Sequence, residues 1–335
     1  MANSRMKTEQ RMPEPQAWRE KFSVGDILGT YGTVIALLIL VVVFWILAPQ
    51  FISSNNIINL LRQISTLAIM ATGLTVCIAA GEFDLSIGNV ASLSGIVVSG
   101  MMVRQMEPAW MAILVALGCG VVFGLFSGVL VSYLRIPSLV ATLGAGAIAV
   151  GVNFAYAKGD SIYGVFPSIF SFLGQGFVGP IPFAVIIATA FVIVFYIFLN
   201  KTRPGRYIVA TGGNPTAARL SGINIKMYRL LGLLISGVSA AVAGIMLTSY
   251  LGTGQPTAGE VYLLDSLAAV FLGMTAFRPG QANIAGTLIG VLILGVLANG
   301  LNLVGAPFYL QNIIRGAILI FAVSLAVMRE EIRFF

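Results

Sequence analysis

The stretch VIALLILVVVFWI, residues 34–46, contains no polar side chain and decides the fold class. On a helix, these residues are apolar on every face. A strand of a membrane β-barrel would instead alternate apolar and polar residues over about 10 residues. The stretch therefore predicts a helix that is surrounded by apolar material on all sides, as in a lipid bilayer.

Working outward from this stretch, further apolar runs recur along the chain. A membrane span needs about 20 mostly apolar residues. Two of the runs are rich in Gly, Ser and Ala, and we expect 84–103 and 261–277 to be broken or re-entrant. The sequence therefore predicts an all-α polytopic membrane helix bundle of about ten transmembrane helices. The ten runs are 30–49, 57–80, 84–103, 109–134, 137–157, 180–199, 227–251, 261–277, 281–303 and 309–328.

The composition excludes several classes of protein. Apolar residues make up 58% of the 335 residues and charged residues only 9%, against roughly 25% in an average soluble domain. Histidine is absent, which excludes a Ser-His-Asp triad and most zinc and haem sites. The two cysteines, Cys77 and Cys119, lie in apolar runs, so no thiolate metal cluster is expected. We therefore expect no metal, no cofactor and no enzymatic activity in this chain.

The basic residues predict the orientation. Cytoplasmic loops of membrane proteins carry an excess of Lys and Arg. Ten spans place the three richest basic segments on one side, together with Arg135 and Arg278, so both termini are expected in the cytoplasm. The net charge of +7 then reflects topology rather than nucleic-acid binding. The predicted regions are a cytoplasmic tail 1–29, a transmembrane domain 30–328 with a cytoplasmic loop 200–229, and a cytoplasmic tail 329–335.

The loop 200–229 carries the signals of a short helix. Asn214-Pro215 is typical of a helix start, with Asn as N-cap and Pro in the first turn, and Gly222 is typical of a stop. Gly212-Gly213 is expected to be flexible. A capped helix of about two turns suits docking of a soluble partner, although a solvated connector would also fit.

No G-x-x-x-x-G-K-[ST] phosphate loop occurs in the chain. If transport is driven by ATP, another polypeptide must supply the energy.

Carboxylates interrupt apolar sequence at two places. In GEFDLSIG, residues 81–88, Asp84 is expected either to cap the next helix in a cytoplasmic turn or to mark a break that shapes a polar pathway. Asp265-Ser266 also lies near a run of small residues, and the two places could correspond within an internal duplication.

Three ordered motifs carry a family resemblance. They are GEFDLSIG with the NVASLSG that follows, GNPTAARLSGI at 213–223, and GTLIG at 286–290 running on to NGLNL at 299–303. The sequence resembles the permease subunits of bacterial ribose-type monosaccharide ABC importers, collinearly from about residue 30 to 328. Glu82-Phe83 and Thr275–Gly280 depart from the family pattern, which leaves ribose itself open as the solute.

The resemblance implies a mechanism and a set of partners. A cytoplasmic ABC ATPase, which binds the ATP and Mg, would receive the coupling segment. A periplasmic solute-binding protein would deliver the sugar. A second permease subunit, identical or a paralogue, would complete the pathway in the lipid of the bacterial inner membrane. The implied coupling residues are Gly213, Asn214, Pro215, Ala217, Ala218, Arg219 and Gly222. Candidate pathway residues are Asp84, Ser86, Asn89, Asn299 and Asn302, because a sugar needs hydrogen-bond partners.

An ion-coupled secondary transporter is the alternative function. It would require intramembrane acids paired with basic partners. Glu82, Asp84, Glu260 and Asp265 are the candidates for such acids.

Overall fold

A computed structural model describes residues 24–277 and 280–329, without the side chains of 24–31 and 325–329. Arg278 and the tail segments beyond these ranges, for which cytoplasmic positions are predicted, lie outside the described residues.

The described chain forms thirteen α-helices, a 3₁₀ turn at Pro49–Ile52 and one two-stranded hairpin. The hairpin pairs β1 (Phe177–Val178) with β2 (Ile181–Pro182) in antiparallel fashion. The helices are α1 (Val24–Leu47), α2 (Ser54–Ala79), α3 (Ile87–Val103), α4 (Ala109–Ser132), α5 (Ser138–Ala157), α6 (Ser168–Gln175), α7 (Phe183–Lys201), α8 (Arg203–Gly213), α9 (Pro215–Leu220), α10 (Ile225–Leu251), α11 (Glu260–Gly273), α12 (Ile284–Leu303) and α13 (Phe308–Arg329).

Each of the ten predicted apolar runs overlaps one of these helices, and the all-α class is confirmed. Six of the helices, α2, α4, α5, α7, α10 and α12, are long and apolar enough to cross a membrane. The two Gly-rich runs give shorter helices, α3 with 17 residues and α11 with 14, and their re-entrant course stays a prediction. At 1.5 Å per residue they extend about 25 and 21 Å, less than the roughly 30 Å of a hydrocarbon core.

Helix α10 is the centre of one half of the bundle and packs against α4, α2 and α3. Small residues allow the helix backbones to approach closely: a Cβ at Gly237 would collide with the backbone oxygen of Gly120 in α4, and one at Gly244 with that of Ala91 in α3. Close packing of this kind replaces the hydrophobic drive inside lipid. Glycine in these spans therefore serves mainly to bring helices together.

The other half of the bundle is built from α11, α12, α13 and α1, and α2 contacts both halves. Helices α2 and α10 are mostly buried, whereas α4, α5 and α7 leave most of their apolar windows exposed. Uncovered apolar faces on long helices are the surfaces that lipid covers.

We call the end of the bundle that carries α8 and α9 the α9 end, and the opposite end, which holds the C-termini of α3, α5 and α10, the far end. Helix α3 starts inside the bundle and runs to the far end, where Gly100 meets Tyr156. Helix α11 runs the other way, because its last residue Gly273 packs against Gly286 at the start of α12. The N-terminal ends of α3 and α11 meet at Gly88 and Gly259.

Candidate functional site

The predicted coupling segment forms the capped helix α9, which follows α8 directly. Asn214 ends α8 and caps α9, and its side chain accepts a hydrogen bond of 2.9 Å from the Ala217 N–H. Pro215 occupies the first turn of α9, and Gly222 ends the segment with φ of +80°. The local signals in the sequence therefore give the helix start and stop at the predicted residues.

Most of the coupling residues face outward. Gly213, Asn214, Ala217, Arg219 and Gly222 are exposed, and Pro215 is half-buried. Ala218 is buried at 4% exposure and faces the protein's own chain. Leu220, which was not singled out from the sequence, is 85% exposed.

The prediction that Gly212-Gly213 forms a flexible segment before α9 is wrong. Both glycines lie in the last turn of α8, a helix that was not predicted. A Cβ at Gly212 would collide with the backbone oxygen of Ala79 at the end of α2, and Gly81 packs on Gly212 with φ of +84°. Glycine serves close helix contact here, so α8 bears directly on the end of α2.

The segment between α2 and α3, residues 80–86, is the break that carries Asp84. The Asp84 carboxylate is buried and accepts hydrogen bonds from the Ser86 N–H at 2.9 Å and the Ser86 hydroxyl at 2.5 Å. The backbone N–H groups of Phe83 and Leu85 donate to the hydroxyls of Ser138 and Thr142 on α5. Irregular backbone is tolerated inside a bundle when its polar groups are satisfied in this way.

The neighbours of the break give its depth. Ala80 lies against Gly232 of α10. Gly232 is the eighth residue of α10, about 10 Å from its start. The break thus begins inside the length of the central helix rather than at its end.

Glu82 connects the break to the start of α10. Its Oε1 lies 3.0 Å from Nε of Arg229, with the Glu82 side chain buried and that of Arg229 about one third exposed. Through this ion pair and the Gly212 contact, the break is attached on both sides to elements that flank α9. The break is therefore in direct contact with both α8 and the start of α10.

The remaining predicted pathway residues are dispersed. Asn89 lies against Gly146 of α5. Asn299 exchanges two hydrogen bonds with the Asn56 amide, at 2.8 and 2.9 Å, and Asn302 accepts one of 2.8 Å from Gln311. Asp84, Ser86 and Asn89 thus cluster at the break and the start of α3, whereas Asn299 and Asn302 join helix ends elsewhere. Their part in a pathway stays a prediction.

A cavity of about 410 Å³ lies between α2, α10, α11, α12 and α13. Asp265 and Arg315 line it and form an ion pair, with Oδ1 and Nε 3.5 Å apart. Sequence reasoning missed Arg315, although a cation inside the apolar run 309–328 is a signal for a buried partner. In the described part of the chain, no group of three or more acidic or cysteine side chains is placed to hold a metal ion.

Comparison with known proteins gives consistent relatives. The family described as branched-chain amino acid transport system, permease component, matches residues 56–323. The ribose import permease protein RbsC of Bacillus subtilis is 37% identical over 96% of this chain and 98% of its own length. RbsC of Escherichia coli K12 is 38% identical over 87% and 91%.

Similarity extends to relatives named for other sugars. The galactose/methyl galactoside import permease protein MglC of Salmonella typhimurium is 35% identical over 88% of this chain and 93% of its own length. No solved structure matches the chain.

Proposed function

We propose that this chain, which belongs to the family of permease components of the branched-chain amino acid transport type, is the membrane-spanning subunit of an ATP-binding-cassette importer for a monosaccharide. The family match covers most of the chain, and the chain is a multi-pass protein of the inner membrane. The observation that carries the proposal is the near full-length similarity, in both chains, to the ribose import permease of B. subtilis.

The relatives favour a sugar as the solute. Their names refer to ribose, D-allose and galactose, while the family description refers to branched-chain amino acids. A neutral, hydroxyl-rich solute requires hydrogen-bonding groups rather than a fixed charge along its route. Pairing of Glu82 with Arg229 and of Asp265 with Arg315 is also what an ion-coupled transporter would require. The names of the relatives, rather than the ion pairs, therefore carry the choice of a sugar.

We infer that α9 is the part of this chain that contacts the ATPase. The ATPase binds ATP and Mg and drives transport. The exposed surface of α9, with Arg219 and Leu220, is the part that would enter a cleft of the ATPase. Movement of the docked helix would reach the break through α8, because Gly212 packs on Ala79, and through the Glu82–Arg229 pair. A solute-binding protein would deliver the sugar at the far end, and a second permease subunit, identical or a paralogue, would complete the transporter.

This assignment fixes an orientation with both termini in the cytoplasm, and cysteine labelling tests it. In cells, a membrane-impermeant maleimide is expected to label Ser161→Cys in the loop after α5 and not Thr216→Cys in α9. After lysis both positions are expected to react, since Thr216 is exposed on α9 and Ser161 lies in the loop after α5, at opposite ends of the bundle. Labelling of Thr216→Cys in intact cells would refute the orientation.

Uptake of radioactive D-ribose, D-allose and D-galactose tests the function itself. The chain is expressed with and without its ATPase and solute-binding protein in cells that lack sugar uptake. We expect accumulation of at least one sugar only when all components are present. Accumulation by the chain alone, driven by an ion gradient, would favour the ion-coupled transporter and refute the proposal.

A further inference from the structure

We propose that the cavity between α2, α10, α11, α12 and α13 is a binding site for the monosaccharide during its passage through the chain. The inference rests on the proposed function and adds to it the location and the chemistry of a site. The volume of about 410 Å³ lies within the range of roughly 300–1,000 Å³ that is typical of small-molecule sites.

The polar lining is suited to hydroxyl groups. Within the described residues, the side chains of four lining residues, Gln63, Gln255, Thr257 and Tyr262, make none of the hydrogen bonds found in the protein. Glutamine amides and hydroxyls each donate and accept hydrogen bonds, as sugar hydroxyls do. The cavity thus offers both kinds of partner. The six polar or charged lining residues are Gln63, Gln255, Thr257, Tyr262, Asp265 and Arg315.

Asp265 is the acidic group of the lining. Its side chain is 11% exposed and pairs with Arg315, Oδ1 to Nε 3.5 Å, and within the described residues Oδ1 accepts no hydrogen bond. A buried carboxylate oxygen without a hydrogen bond is costly and is usually satisfied by a donor. The O–H of a sugar can supply that donor while the ion pair keeps the site close to neutral.

Charge also separates a sugar from other solutes. A zwitterionic amino acid would have to share Asp265 and Arg315 with their existing ion pair to bind its ammonium and carboxylate groups. A metal cation would face a single carboxylate that Arg315 already neutralises. A neutral polyol requires neither change, so the lining favours a sugar.

The position of the cavity fits entry from the far end. Thr257 also lines a second cavity of about 580 Å³, which is bounded by Asp160, Ser161 and Tyr163 in the loop after α5. Towards the α9 end, Phe271 follows Asp265 by about 9 Å along α11 and stacks on Phe83 of the break, with ring centres 6.3 Å apart. The site therefore lies between an outer vestibule and an aromatic contact with the break.

The test uses the complete transporter in proteoliposomes. We expect the double variant Gln63→Ala/Gln255→Ala to lower sugar uptake about tenfold, because two hydrogen bonds to the solute are lost. The control Gln105→Ala removes a glutamine at the far end that does not line the cavity, and it is expected to keep wild-type uptake. Co-purification of the ATPase and its ATP hydrolysis are expected to stay unchanged in both.

A second measurement does not depend on turnover. In a Cys119→Ala background, Ala258→Cys in the cavity lining is labelled with a maleimide in the presence of the sugar that wild-type protein transports. We expect the sugar to slow labelling at least threefold at Ala258→Cys and not at Met106→Cys, an exposed far-end position.

Unchanged uptake and unchanged labelling would overturn the cavity site while wild-type uptake still supports the proposed function. Protection by leucine but not by sugars would overturn it in favour of an amino acid. Absence of sugar uptake by the wild-type transporter would reject the proposed function and the site together.

Discussion

Replacement of Leu220 by Ala tests the contact between α9 and the ATPase without disturbing the permease fold. Leu220 is 85% exposed, so its truncation is expected to change the permease's own free energy of unfolding by less than about 0.5 kcal/mol. If the ATPase buries this side chain, the loss of three carbon atoms at about 0.8 kcal/mol each, reduced by the part already buried, costs about 2 kcal/mol of binding. That corresponds to a roughly 30-fold weaker complex.

The assay is titration of the ATPase onto the permease in nanodiscs, followed by ATP-driven uptake. Met106→Ala is the matched control, because Met106 is 82% exposed but lies at the far end. We expect its affinity for the ATPase to equal that of the wild type. An affinity of Leu220→Ala within twofold of the wild type would refute the burial of Leu220 in the complex. Ala218 is less suitable for this test, since it is buried and its replacement would disturb α9 itself.

Three further outcomes are expected. Arg229→Leu should lower the free energy of unfolding by about 1–3 kcal/mol, because the buried Glu82 loses its partner. In a melting experiment, adding Glu82→Gln to the same chain should restore most of the loss. Equal melting of the single and double variants would contradict this. Gly244→Leu should abolish the peak of folded protein in detergent chromatography, because the new side chain would collide with the α3 backbone. The control Gly144→Leu, at a position with open space around it, should elute normally. Normal elution of both variants would refute the packing of α10 on α3. Asn299→Leu should lower the melting temperature by a few degrees, because it removes two hydrogen bonds to α2. Uptake per folded molecule should stay near wild type. Lost uptake at an unchanged melting temperature would instead support the predicted place of Asn299 in the pathway.

The helices of the ten apolar runs were predictable because a bilayer imposes a length and an apolar composition on every span. Each run therefore marks one helix, and the two Gly-rich runs give α3 and α11. Helices α6 and α8 were not predicted, since neither lies in a long apolar run. The caps of α9 were equally predictable, since Asn214, Pro215 and Gly222 act within a few residues of themselves.

What could not be predicted depends on contacts between distant segments. A Gly-Gly pair is equally compatible with a flexible loop and with a helix that packs closely on another helix. Only the position of Ala79 beside Gly212 shows that the second applies here. The cavity required five helices to be placed before Gln63 and Asp265 could be assigned to one lining. Of the residues at this cavity, only Arg315 had a recognisable signal in the sequence. It is a cation within an apolar run, which indicates a buried partner.

The meeting of α3 and α11 at their N-terminal ends places two helix dipoles head to head. Each helix start carries about half a positive charge, and two such starts converge at Gly88 and Gly259 in the interior. A carboxylate accompanies each start: Asp84 lies just before α3 and accepts the Ser86 N–H, and Glu260 is the first residue of α11. The two acids offset the repulsion between the converging dipoles, which allows both short helices to begin inside the bundle.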